Sequence, residues 1–158
     1  MKKLFQILFV GMITLTANAQ QTRELDEISQ QNSWLKLGLN LGVPVGDLSN
    51  YSKLAFGVEA AAQFMRTDNF GLGIVTGYTK YYNKDNASLD GSEKGFGAIP
   101  LGLMFRYYPQ PSGFFVGTDV GYTFFTDFNQ NKGGAYIRPQ LGYHNYDWNV
   151  FAFYNQVF

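Results

Sequence analysis

Charged side chains are sparse through the body of this chain, and five of those that stand alone between uncharged neighbours share one face of the strand-like stretches. Lys36 lies between Leu35 and Leu37, and Glu59 between Val58 and Ala60. Arg106 lies between Phe105 and Tyr107, Asp119 between Thr118 and Val120, and Arg138 between Ile137 and Pro139. An ion removed from water without a partner costs several kcal/mol, so a set containing both signs is expected to pair into a network. A proton or ion path is the alternative role for such a set, and a structural network is the commoner one. The only histidine, His144, shares a short turn with Asn145 and Asp147, where a solvated side chain is expected. A nucleophilic hydrolase would need that base beside a nucleophile, and Ser49, Ser52, Ser88, Ser92 and Ser112 have no histidine at a motif spacing. Asp85, Asp90 and Glu93 could loosely hold a cation but lack the calcium-loop spacing. Neither zinc-ligand spacing nor a phosphate-cradling glycine turn occurs. No catalytic residue, metal or cofactor is therefore expected.

The elements that carry these charges show a period of two. In Phe114–Phe125, one face holds Phe114, Val116, Thr118, Val120, Tyr122 and Phe124. The other holds Phe115, Gly117, Asp119, Gly121, Thr123 and Phe125. Successive strand side chains point to opposite sides, so this is a strand between two unlike environments. The same pattern predicts strands over residues 34–43, 54–65, 70–82, 96–108, 134–143 and, with blurred alternation, 148–158. Connections alternate long and short. The longest, Asn83–Gly95, is polar, whereas 66–69 and 144–147 are tight turns. Residues 20–32 do not alternate and read as a flexible tail.

The chain opens with Met1-Lys2-Lys3, a mostly apolar stretch from Leu4 to Thr16, and Ala17-Asn18-Ala19. That is the form of a secretory signal peptide spanning residues 1–19, with cleavage expected after Ala19. Twelve basic residues balance twelve acidic ones, so losing Lys2 and Lys3 leaves a net charge of −2, which provides no field for nucleic acid. The chain contains no cysteine, and an exported domain without disulfides must rely on packing and backbone pairing.

Periodicity separates two faces without saying which is inside. The face carrying the lone charges is otherwise mostly glycine and alanine, a poor surface for water but a good lining for a narrow barrel. The bulky face would then meet lipid, with aromatics such as Tyr78, Tyr81, Tyr82, Phe105, Tyr107, Tyr108, Tyr122, Phe124 and Phe125 near strand ends as girdles. The expected fold is all-β, an antiparallel up-and-down transmembrane β-barrel meander over residues 33–158. Seven strands are recognised and about eight expected, since single-chain bacterial barrels are even-stranded. A last strand missing after Phe158 is the expected reason. Pro100 and Pro139 sit awkwardly in strands, because proline cannot donate to a ladder.

Ala17-Asn-Ala-Gln20, Gly38-Leu-Asn-Leu-Gly-Val-Pro-Val-Gly-Asp-Leu-Ser49 and the glycine–aromatic strands together resemble the small outer-membrane β-barrel (porin-like) proteins of the Bacteroidota, whose architecture is similar to OmpA/OmpX-type barrels. The resemblance implies an eight-stranded barrel in the cell outer membrane, non-enzymatic, with a structural or surface-interaction role through its outer loops. It implies outer-membrane lipids, lipopolysaccharide and the barrel assembly machinery as partners. A narrow channel and a soluble periplasmic ligand-binding barrel are the alternatives.

Overall fold

The computed structural model describes residues 5–17, 33–84, 95–110, 113–127, 132–144 and 148–158, with only the backbone described for 5–17 and 33–34. The described chain is an all-β antiparallel meander. Its strands are β1 (Phe5–Ala17), β2 (Ser33–Val45), β3 (Ser52–Thr67), β4 (Phe70–Asn83), β5 (Phe96–Tyr107), β6 (Gly113–Thr126), β7 (Gly133–His144) and β8 (Trp148–Val157). They pair in sequence order, and β1 also pairs with β8, closing the sheet. Strands β2–β8 begin and end within a few residues of where the alternation places them. The expected tail 20–32 and most of the Asn83–Gly95 loop lie outside the described residues.

Seven strands thus come from residues 33–158, and the eighth comes from the N-terminal side. Phe5–Ala17, the stretch that reads as an export leader, is antiparallel to both β2 and β8, and a one-residue register shift between Phe9 and Met12 appears in both ladders. Because β1 opposes both neighbours, β2 and β8 run in the same direction. Without an intervening strand they could close the sheet only as a parallel pair.

The two prolines are accommodated by gaps in pairing. Between β4 and β5 the ladder skips from Thr76↔Leu101 to Thr79↔Ala98, leaving Pro100 out, while Pro100 still pairs with Thr123 on β6. The Thr76 hydroxyl donates to the Pro100 carbonyl at 2.9 Å. Between β7 and β8 the ladder skips from Ile137↔Gln156 to Gln140↔Phe153, leaving Pro139 out. Each proline spoils one ladder and keeps the other.

A closed sheet of eight strands leaves an interior just wide enough for side chains. Here it is filled in layers. At one end, a short 3₁₀ turn, Gly46–Asn50, tucks Leu48 in beside Tyr81 and Phe96, whose rings stack 4.6 Å apart. At the other end Met65, Tyr108, Phe115 and Phe151 pack together, with Phe115 5.6 Å from Tyr108 and 6.1 Å from Phe151. Between these apolar layers lie the charges. The chain passes from β2 to β3, β4 to β5 and β6 to β7 at the first end, the loop end, and from β3 to β4, β5 to β6 and β7 to β8 at the second, the turn end.

A charge cluster in the barrel lumen

The alternation of each strand points every one of the five lone charges inward, and none is more than 5% exposed. Asp119 on β6 is the register partner of Arg138 on β7. Arg138 Nε and Nη2 donate to Asp119 Oδ2 at 2.9 and 2.5 Å, and its Nη1 donates to Glu59 Oε2 at 2.5 Å. Glu59 belongs to β3, so this bond crosses the lumen. Arg106 Nη1 donates to Asp119 Oδ1 at 2.9 Å, and Gln140 Nε2 donates to Asp119 Oδ2. Asp119 is fully buried and accepts from three side chains, as a buried carboxylate must to offset its desolvation.

The guanidiniums rest on aromatic rings. Arg106 sits 5.1 Å from the Phe115 centroid and 5.6 Å from that of Phe151, and Arg138 sits 4.9 Å from that of Phe153. Such contacts stabilise a desolvated cation by about 2 kcal/mol. Gly117, opposite Arg106, supplies the room: a Cβ there would lie 2.7 Å from Arg106 Cδ and 2.5 Å from the Phe105 carbonyl oxygen. These rings also explain the blurred alternation of the last strand, because Phe151 and Phe153 face the lumen, where small residues were expected.

Lys36 joins a second, polar branch. Its Nζ donates to Gln63 Oε1 at 2.6 Å, and Gln63 Nε2 donates to the Tyr108 hydroxyl at 2.9 Å. That hydroxyl lies 3.0 Å from His144 Nδ1. Tyr108 is fixed from the neighbouring turn, its N–H donating to the Asn69 carbonyl and its own carbonyl accepting from Asn69 Nδ2, both at 2.8 Å. Burial pushes the Tyr108 phenol up to about 12, against the opposing effects of the Gln63 hydrogen bond and the Arg106 charge, so it keeps its proton at neutral pH.

Arg106, Asp119, Arg138 and Glu59 are thus brought into one cluster, and Lys36 reaches the neighbouring glutamine. Two expectations are corrected. His144 is not a solvated turn residue. It ends β7 fully buried, because the inward parity of Arg138 and Gln140 continues to it. Tyr81 and Tyr108 are not girdle residues: they lie inside, and Phe125 packs against the same interior cluster. Adjacent residues of a strand face opposite ways, so only Tyr82 of the Tyr81–Tyr82 pair and Tyr107 of the Tyr107–Tyr108 pair can face out. Gln63 and Gln140 fall on the inward face by parity alone, though their partners were not legible in the sequence.

The outer surface has the opposite character. Leu35, Leu37, Leu39, Leu41, Val58, Ile74, Leu101, Leu103, Ile137 and Leu141 are all exposed there. Exposed Tyr82, Tyr122 and Phe124 lie toward the loop end, and Phe64, Tyr107, Phe114 and Trp148 toward the turn end. The outward face of β4 carries one formal charge inside these borders, Lys80, two residues before Tyr82. Lys80, near the loop end, is partly exposed and sits 3.6 Å from Asp127.

As chemistry, the cluster holds strands together across the lumen. The cavities beside it amount to ≈ 20 and ≈ 10 Å³. Ser49 and Ser52 lie at the end opposite His144, so neither can be activated by it. Comparison of the chain with protein-family models, with curated proteins and with solved structures gives no match.

Proposed function

We propose that this chain is an integral β-barrel of the bacterial outer membrane, non-enzymatic, with a plugged lumen and a structural or surface-interaction role through the connections at its loop end. One observation carries the reading: the barrel wall is an apolar band between aromatic groups, while Lys36, Glu59, Arg106, Asp119 and Arg138 are gathered inside. Soluble proteins rarely expose contiguous apolar patches beyond a few hundred Å². A lipid-facing barrel requires such a band and aromatic girdles at its borders. The resemblance to small Bacteroidota barrel proteins supports the same location. Outer-membrane lipids and lipopolysaccharide would be the immediate neighbours, with the barrel assembly machinery acting during insertion.

The alternatives gain less from the geometry. A ligand-binding barrel would need a cavity of about 300–1,000 Å³, and a channel a continuous lumen. Fractionation of the cell envelope tests the proposal. The protein should stay in the membrane pellet until detergent is added, and its gel migration should shift on heating. Recovery in the soluble periplasmic extract would refute it.

A further inference from the structure

We infer that the lumen holds a built hydration site on the loop-end side of the charge cluster, taking one ordered water molecule. The cavity of ≈ 20 Å³ is lined by Thr123, Tyr136, Arg138 and Asn155, among others. Three buried polar atoms of those residues have no hydrogen-bond partner in the protein: Thr123 Oγ1, Tyr136 OH and Asn155 Oδ1. Asn40, Thr79 and Arg138, which also line the wall, are engaged. Thr79 Oγ1 donates to Asn40 Oδ1 at 3.4 Å, and Arg138 is taken by Asp119 and Glu59. Native interiors seldom leave buried polar atoms unpaired, and three converging on one cavity identify a ligand.

The chemistry of the three atoms selects that ligand. Two hydroxyls can donate or accept, and the amide oxygen only accepts. A cation would meet the Arg138 guanidinium, and an anion would meet the Asn155 oxygen while the Arg138 nitrogens are already committed to Asp119 and Glu59. Water can accept from Tyr136 and Thr123 and donate to Asn155. The space suffices, since about 10–15 Å³ is the least that holds one water. Backbone geometry supports the site too: Pro100 and Asn155 both line the cavity, and both lie where a ladder is interrupted by proline. Gly102 gives Tyr136 its seat, since a Cβ there would fall on the phenol oxygen.

The inference does not depend on the membrane reading, because the site is interior whatever surrounds the wall. An experimental structure of the full chain, at a resolution that orders internal waters, should show one density peak within hydrogen-bond distance of all three atoms. An empty cavity, or Tyr136 OH bonded directly to Thr123 Oγ1, would overturn it. Tyr136→Phe and Thr123→Val give a second readout whose sign decides. Removing a hydroxyl that binds water lowers the midpoint of thermal unfolding, by about 2–4 °C each. Removing an unsatisfied hydroxyl raises it, and a raised or unchanged midpoint in both variants would overturn the site.

Discussion

Arg138 spends all three of its guanidinium nitrogens on carboxylates from two strands, and its flat face lies on Phe153. Its loss would leave Glu59 without that partner and Asp119 with only Arg106 and Gln140. Breaking a buried ion pair by deleting one partner costs about 3–5 kcal/mol, because the remaining charge stays buried. Arg138→Met is therefore expected to lower the heat-modification midpoint sharply, and adding Glu59→Gln should recover part of the loss by removing one stranded charge. A double variant no more stable than the single one would show that the two residues are not coupled. Lysine would not substitute at this position, since one ammonium cannot reproduce a three-nitrogen fork. At this scale the five charges and their inward facing were legible in the sequence. The identity of each partner was not, because Glu59 and Arg138 are 79 residues apart and meet only across the closed lumen.

The strands themselves follow from alternation, since one face must satisfy the apolar exterior and the other a space that admits glycine, a ring or an ion. Alternation fails as a guide only where the lumen takes large groups, as at Phe151 and Phe153. Closure is a different matter. β2 and β8 run the same way, so β1 provides two antiparallel ladders that β2 and β8 cannot provide for each other. A chain shortened by residues 1–19 and refolded in detergent is expected to lose the compact, heat-modifiable form. A shortened chain that migrates like the full one would mean that the seam closes in parallel. The residues of β1 carry both a leader pattern and a strand's pairing, and local sequence cannot choose between the two uses because the apolar run serves either.

Across the whole molecule, the described lumen side chains form apolar aromatic layers at both ends and a polar layer between them. Ions crossing it would have to displace Arg106, Arg138 and the rings beneath them. In planar bilayers the protein is accordingly expected to give no steady conductance, and stepwise single-channel openings would refute the plugged lumen. The fold class, the positions of β2–β8 and the two-faced character of the wall were legible in sequence alone, because a period of two acts locally and needs no knowledge of neighbours. Tertiary structure decided which strand closes the barrel, where His144, Tyr81 and Tyr108 point, and which acid each arginine holds. Those depend on the relative register of strands far apart in the chain, and register is set by closure of the whole sheet rather than by any single stretch of residues.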